Sequence, residues 1–338
     1  MDGNLGEALR RLTESVIQGR STLGHWSDRP LVLCLSGGTD SSALAFAVHR
    51  GREEFPGGVQ AAHVMHHLRG TESDGDATSV RELCGQLGLP LTLLDAIVEP
   101  GPNLEERARD VRYATLRQAF PHSLLATAHH LDDQSETVVL RLLRGAGARG
   151  LGGIARLRDD GIWRPFLSHS RSTLEAACTQ ARWTARIDSS NLHRTFARNR
   201  IRLDFLPGWE AQEPGISRGL ASLAESAQAL APFLERGLDR LASSISLEID
   251  LNGFSLDLSH WPPDRPPPHE DPELDLLLER SWTRTGRRPW AKAQRLRLLQ
   301  DASGRSGKRT GGQSETAVYG GGRLRVEASH WESLAPAM

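Results

Sequence analysis

Two stretches of this 338-residue chain carry residues whose types and spacing suit chemistry on an anion. In the first, LVLCLSGGTDSS (31–42), five apolar residues from Leu31 to Leu35 run into Ser36, Gly37 and Gly38, followed by Thr39, Asp40, Ser41 and Ser42. A short apolar run bounded by glycines reads as a strand buried on both faces. Asp40-Ser41-Ser42 suits a helix start, continued by Ala43–Val48. A strand, a glycine turn and a helix N-terminus together present unpaired backbone N–H groups to a phosphate. No Lys follows the glycines and the G-x-G-x-x-G spacing is not met, so two common phosphate loops are excluded.

The second stretch is LLATAHHLDDQSETVVLRLLRG (124–145). Its strand ends at His129-His130. Asp133 and Glu136 have capping-box spacing, and Asp133, Glu136, Thr137, Leu140 and Arg141 follow at helical steps. A capping box accounts for the two carboxylates but not for the histidines before them or for the basic, glycine-rich exit RGAGARGLGGI.

Strands alternating with helices must position these groups. The pattern predicts an amphipathic helix within residues 1–28, strands at Leu31–Leu35, Val59–His66, Leu91–Val98 and Ser123–Ala128, and helices at Ser73–Leu87, Asn103–Ala119 and Asp132–Leu143. That alternation implies an α/β fold with a doubly wound parallel sheet, which takes ligands at the carboxyl ends of its strands. At the second such end stand His63, His66, His67 and Arg69. Three residues of separation put His63 and His66 on opposite strand faces, so contact with a nucleotide is a better expectation than a shared metal. On the third helix Glu105, Arg109 and Arg112 lie near one face; a solvated ion pair explains them, and so does the steadying of phosphate charge.

Composition narrows the class. Hydrophobic residues make up 38% of the chain, and no stretch approaches the ~20 apolar residues of a membrane span. The N-terminus lacks a basic start followed by an apolar run, which makes the cytoplasm the expected location. Cys34, Cys84 and Cys178 are odd in number and far apart, giving neither a disulfide framework nor a zinc or iron–sulfur spacing. The formal net charge is −1, yet between Arg141 and Arg202 arginines greatly outnumber the four acidic residues Asp159, Asp160, Glu175 and Asp188. This is a candidate nucleic-acid surface, although lysine is so scarce (Lys292 and Lys308 only) that codon bias can account for part of the excess.

The hexapeptide Ser36–Ser41 resembles the pyrophosphate loop of the N-type ATP pyrophosphatases. With AHHLDDQSET, HVMHHLRGTESDGDA, NLEERARDVRY, RGAGARGLGGI, WRPFLSHSR and WTARIDSSNLHRTFARNRIRLDFLP in order, residues 30 to 207 resemble the tRNA(Ile)-lysidine synthetase family. His67 departs from the pattern, where the family usually has Gly.

The resemblance implies an adenine nucleotide alpha hydrolase-like catalytic domain and ATP and Mg²⁺ as cofactors. The substrates would be free L-lysine and a CAU-anticodon tRNA(Ile), the product lysidine at the wobble cytidine, through an adenylated intermediate. It implies nucleotide contacts from Ser36, Gly37, Gly38, Thr39, Asp40, Ser41, His63 and His66, with Mg²⁺ on Asp40. Catalytic roles would fall to Asp40, Arg109, Arg112, His130 and Asp133, and lysine contacts to Asp132, Asp133 and Glu136. Contacts to tRNA would come from Arg141, Arg144, Arg194, Arg198, Asn199, Arg200 and Arg202. A tRNA thiolase of the same family is an alternative that needs catalytic cysteines or a sulfur carrier. A glutamine-dependent amidotransferase lacks its N-terminal Cys, residue 2 being Asp. A non-catalytic nucleotide-dependent RNA-binding module is the third.

Beyond the catalytic domain (1–209) the pattern predicts a helical connecting region (210–260), a Pro-rich linker (261–273) and a small α+β tRNA-binding domain (274–338). Homodimer formation is left open, and no membrane association is expected.

Overall fold

The computed structural model describes residues 6–65, 71–98, 101, 104–147, 150–186, 194, 197–250, 253–259, 261–284, 292–304, 307–310, 315–320 and 323–328. They form two compact units that part between Ala229 and Leu230.

In the first unit, α1 (Glu7–Arg20) precedes a repeating strand–helix series. The series runs β1 (Leu31–Cys34), α2 (Thr39–Arg50), β2 (Val59–Met65), α3 (Thr71–Leu87), β3 (Leu91–Asp95), α4 (Leu104–Ala119), β4 (Leu124–Ala126) and α5 (Leu131–Leu143). Strand β5 (Ile162–Trp163), α6 (Arg171–Gln180), α7 (Ala197–Arg200), a π-helical turn at Ile201–Phe205 and α8 (Leu206–Gln212) follow, and α9 (Ile216–Ser244) crosses the boundary between the units. The sheet is wholly parallel, ordered β3-β2-β1-β4-β5, so the expected doubly wound architecture is present.

Residue alternation explains why helices cover both faces. Leu31, Leu33, Ala61, Leu124 and Ala126 point to one face, against Leu44 and Val48 of α2, Leu12 of α1 and Leu174 of α6. Val32, Ala62, Val64, Leu125 and Ile162 point to the other, against Leu116 of α4. Leu31, Val32 and Leu33 are all 0% exposed, so every residue of central β1 except its last is sealed. Three strands stop a little earlier than the apolar pattern suggests: β1 at Cys34, β3 at Asp95 and β4 at Ala126. Because the strands are parallel, their carboxyl ends lie at one edge of the sheet, where the loops that carry the motifs leave it.

The second unit begins in the latter half of α9. Its antiparallel sheet, ordered β6-β7-β10-β9-β8, joins β6 (Glu248–Ile249), β7 (Gly253–Asp257), β8 (Gly307–Thr310), β9 (Glu315–Gly320) and β10 (Arg323–Ala328), with α10 (Pro272–Arg284) and α11 (Lys292–Gly304). Leu238 and Leu241 share a core with Phe254, Leu277, Trp282, Leu298 and Val326. The division therefore differs from the sequence-based one. Glu248–Ile249 and Gly253–Asp257, expected inside a helical connector, are strands, because Phe254 and Leu256 pair with Val326 and Leu324 and bury their side chains. The Pro-rich stretch expected as a linker is also built in: Arg265 binds Asp271 and Glu273. Among the described residues no helix is long and apolar enough to cross a membrane.

Candidate active site

The loop after β1 is braced by its own hydroxyls. Ser41 Oγ donates to the Gly38 carbonyl at 3.0 Å and accepts from the Ser36 amide at 3.2 Å, and Ser36 Oγ donates to Ser41 Oγ at 3.2 Å. Ser42 Oγ also donates to the Gly38 carbonyl and accepts from Trp183 Nε1 at 3.2 Å. Gly37 sits at φ +87°, in the left-handed region, and a Cβ there would lie 3.1 Å from the Asp76 carbonyl oxygen. Gly38 is the N-cap of α2, so the first-turn amides from Thr39 onward have no acceptor within the helix and face the strand ends. Arg186 forms a parallel bridge with Gly38 and an ion pair with Asp76 at 3.2 Å, its guanidinium occupying the space that a side chain on Gly75 would fill.

Helix α5 brings the second motif to this cradle. His130 is its N-cap; Nε2 lies 3.6 Å from Asp40 Oδ2 and 3.5 Å from Asp133 Oδ2, and Nδ1 lies 3.4 Å from Asp132 Oδ2. Two motifs 90 residues apart in the chain thus share one cluster of charge. Burial pushes the His130 pKa down, but Asp133, then Asp132 and Asp40, push it up harder, to about 10. The imidazole is therefore held as a cation at neutral pH. His129 goes the other way: burial lowers it to about 3, leaving a neutral ring whose Nδ1 pairs with Thr127 Oγ1 at 2.9 Å.

Asp133 and Glu136 are not open to solvent. Arg198 donates to Glu136 Oε2 at 2.7 Å and to Asp133 Oδ1 at 2.8 Å; Arg202 donates to Glu136 Oε1 at 2.6 Å and Oε2 at 3.0 Å, and to Asp133 Oδ1 at 3.3 Å. The Glu136 side chain is 0% exposed. Asp133 Oδ2 accepts the His130 amide at 3.1 Å. Burial alone would raise the Asp133 pKa, but His130 and the two arginines hold it well below the usual carboxylate range. Two expectations change accordingly. Glu136 has no free oxygen for a lysine ammonium, and Arg198 and Arg202 are committed to carboxylates rather than turned toward RNA phosphate. The π-helical turn that carries Arg202 is a geometry frequent at functional sites.

The remaining carboxylates are the accessible ones. Asp132, 40% exposed, accepts the Arg171 amide at 2.9 Å, and its pKa is lowered because His130 and that amide outweigh burial. Asp40 is 38% exposed, with Oδ1 buried and lacking a hydrogen-bond partner among the described residues. An unpaired carboxylate oxygen beside a phosphate cradle fits a hard divalent cation, which needs only one or two protein carboxylates when phosphates complete its shell.

The two arginines of α4 diverge. The charge of Arg112 acts on Cys34 and His63, toward β1 and β2, whereas that of Arg109 acts on His129, Arg141 and Arg164, toward β4 and β5. His63 is 5% exposed with Nδ1 2.8 Å from the Leu35 carbonyl oxygen, so it is held inside the sheet; burial lowers its pKa. His66 lies outside the described residues. Arg141 donates to the Gly150 carbonyl at 2.7 Å, Arg194 to Asp204 at 3.0 Å, and Arg200 to the Arg194 carbonyl at 3.2 Å. Arg144, Arg194 and Arg200 are exposed, while Asn199 is buried.

Sequence reasoning assigned no role to Arg164, Arg186 or Trp183, although WRPF and WTAR contain them. Gln134 went equally unremarked: it clasps the Ile154 backbone by two hydrogen bonds, Nε2 to the carbonyl at 3.1 Å and Oε1 from the amide at 2.6 Å.

A model of the PP-loop domain family matches residues 10–208, which contain the whole cradle and the α5 cluster. The chain belongs to the PP-loop domain family. That membership carries ATP use. Similar curated proteins include the tRNA(Ile)-lysidine synthase of Porphyromonas gingivalis, 37% identical over 234 residues, 65% of this chain and 51% of that protein. The tRNA(Ile)-lysidine synthase of Clostridioides difficile is 39% identical over 186 residues, 52% of this chain and 40% of that protein. The chain spans about half or less of the length of these relatives. Among solved structures, the U34-tRNA thiolase NcsA from Methanococcus maripaludis, with its 4Fe–4S cluster, aligns with a TM-score of 0.53 and 17% identity, covering 65% of this chain and 79% of that one. This second likeness speaks for the PP-loop fold alone.

Proposed function

We propose that this PP-loop protein ligates free L-lysine to C2 of the wobble cytidine of a CAU-anticodon tRNA(Ile), consuming ATP and releasing AMP and pyrophosphate. The observation that carries the reading is the meeting of His130 and Asp133 with Asp40 beside the cradle, in a chain 37% identical over 234 residues to a tRNA(Ile)-lysidine synthase.

In the first step the cytidine O2 attacks the α-phosphorus of ATP, the bond to the bridging oxygen breaks, and pyrophosphate leaves. The α2 N-terminal amides receive the outer phosphates, and the His130 cation and Arg112 offset charge that develops around the α-phosphate. Asp40 would hold Mg²⁺, which supplies further neutralisation of the departing pyrophosphate.

In the second step the ε-amine of lysine attacks C2, the C2–O bond breaks, and AMP departs. A lysine side chain with pKa near 10.4 is almost all ammonium at pH 7, so freeing the nucleophile costs about 4–5 kcal/mol unless the site assists. Asp132 is suited to receive that ammonium, because Asp133 and Glu136 already bind Arg198 and Arg202. The exposed Arg144, Arg194 and Arg200 are available for tRNA phosphates, which would contribute salt-dependent affinity.

The thiolase alternative is disfavoured by the cysteines. Burial pushes Cys34 to about 12, Cys84 to about 11 and Cys178 to about 12, away from the thiolate form that such chemistry uses. The test is incorporation of labelled lysine into a CAU-anticodon tRNA(Ile) transcript with ATP and Mg²⁺, run beside tRNA(Met). Incorporation confined to tRNA(Ile) is expected; ATP-dependent tRNA binding with no incorporation would leave only an RNA-binding module.

A further inference from the structure

Phe205 and Trp209 are large aromatic side chains left in solvent, 49% and 41% exposed, on the π-helical turn and on α8. They stand four apart, so they share one side of the helix, and their ring centroids lie 6.1 Å apart with planes tilted by 56°. Neither ring belongs to the core. The inward face of this stretch is made by Ile201 and Leu206, 2% and 7% exposed, which pack with Val139 of α5. Gly208 falls between the two rings in sequence. Beyond its chain neighbours and its own helix backbone, nothing comes within 4 Å of where its Cβ would be. The space beside the rings is open, and a planar group has room to lie against them.

The turn that carries Phe205 also reaches the reacting groups. Arg202, three residues earlier on the same turn, donates to Asp133 Oδ1 at 3.3 Å; Asp133 lies 3.5 Å from His130, and His130 lies 3.6 Å from Asp40. Direct contacts therefore run from the phosphate cradle to the foot of the aromatic pair. The charge around the rings favours an anionic strand. Arg194 and Arg200 are exposed, whereas the two acids next to the rings in sequence are already engaged. Asp204 accepts from Arg194 at 3.0 Å, and Glu210 accepts the Gly215 and Ser217 amides at 2.6 and 3.1 Å. Open aromatic faces set among arginines suit an unpaired nucleobase, which stacks on a ring while cations meet the flanking phosphates.

We infer that Phe205 and Trp209 form a stacking platform for one unpaired base of the anticodon loop. This rests on the tRNA substrate proposed above and adds to it a contact that carries no charge. Arg194 and Arg200 meet the neighbouring phosphates, and the stacked base fixes where the strand turns in toward His130 and Asp40.

The test measures binding of the CAU-anticodon tRNA(Ile) transcript to the 338-residue chain at several salt concentrations, without lysine. Trp209→Leu keeps an apolar side chain but removes the aromatic face. It should weaken binding about fivefold or more, with the slope of log affinity against log salt unchanged because no phosphate contact is lost. Trp209→Phe, which restores a face, should stay within about twofold of the unaltered chain. Arg200→Gln should instead reduce the slope by about 0.7, the share of one phosphate on a single strand. Phe205→Leu is the second variant and serves if Trp209→Leu does not fold. Unchanged tRNA affinity in both leucine variants would overturn the platform while leaving the ligase reading in place. Loss of self-association in those variants with tRNA affinity intact would also overturn it, making the rings a contact between copies of this chain. A weakened Trp209→Leu with a reduced salt slope would overturn it too, since phosphate contacts would then be what was lost. No binding of the transcript by the unaltered chain would defeat the tRNA reading itself, and the platform with it.

Discussion

Glu136→Gln separates a structural lock from a ligand site. In the native protein the fully buried Glu136 carboxylate receives Arg198 and Arg202, whose side chains are only 23% and 20% exposed. Replacing it with an amide leaves two largely buried guanidinium groups to share Asp133. Removing one partner of a buried ion pair costs about 3–5 kcal/mol, because the surviving charge stays desolvated. For a unit of this size, 1 kcal/mol corresponds to roughly 2–4 °C of melting temperature, so a fall of about 6–20 °C is expected by calorimetry on the 338-residue chain. Arg144→Gln, at an exposed position, is the control and should stay within about 0.5 kcal/mol. The double variant Glu136→Gln with Arg202→Gln should recover part of the loss, with a coupling of about 1–3 kcal/mol. A Glu136→Gln protein that melts with the Arg144→Gln control, but whose lysine KM rises, would refute the lock and return Glu136 to the ligand role.

Three further outcomes follow from the same geometry. His130 is raised to about 10 against 6.5 for the free side chain, so its contribution to stability is complete below pH 6.5 and is lost as pH climbs toward 10. The urea midpoint should fall across that window in the native chain and be flatter in His130→Asn; identical slopes would mean that the imidazolium does not hold the carboxylates together. Gly37→Ala should cost about 1–2 kcal/mol for its left-handed backbone and also weaken ATP binding, whereas Gly38→Ala, at φ −83° with its nearest neighbour 3.7 Å away, should keep its stability. An unshifted melt for Gly37→Ala would contradict the backbone argument. Cys34, Cys84 and Cys178, all raised by burial to about 11 or 12, should resist thiol reagents at neutral pH until the chain unfolds. Rapid native labelling would reopen the thiolase alternative.

What the sequence disclosed and what it withheld divide along a physical line. The cradle was legible because its determinants are local: five apolar residues, two glycines and a helix start fix strand, turn and amide directions within twelve positions. The parallel sheet was legible from the repeating strand–helix period. Short-range spacing also revealed that Asp133 and Glu136 share a helix face, and that Arg198 and Arg202 lie four apart. It could not reveal that these two rows meet, since 62 to 69 residues separate the partners and each row alone is consistent with binding a ligand. Arg109 and Arg112 were likewise placed on one face, but only the sheet beneath α4 decides that one serves β4 and β5 and the other β1 and β2. Arg164 was hidden for the converse reason: an arginine reads as surface charge until burial without a carboxylate is seen.

The same packing also sets the charge left for a ligand. Asp40, Asp132, Asp133 and Glu136 face the cations His130, Arg198 and Arg202, so four carboxylates meet three positive groups. The two arginines lie on Asp133 and Glu136, and the imidazolium is shared among Asp40, Asp132 and Asp133. The uncompensated negative charge therefore resides on Asp40 and Asp132, the two carboxylates at which solvent still has access. A site that satisfies its deepest acids internally keeps its outer pair for arriving cations. In the proposed reaction those arrive twice, as the metal on the triphosphate and as the ammonium of the nucleophile, and removing Arg198 or Arg202 would blur that division by freeing an inner carboxylate to compete for either one.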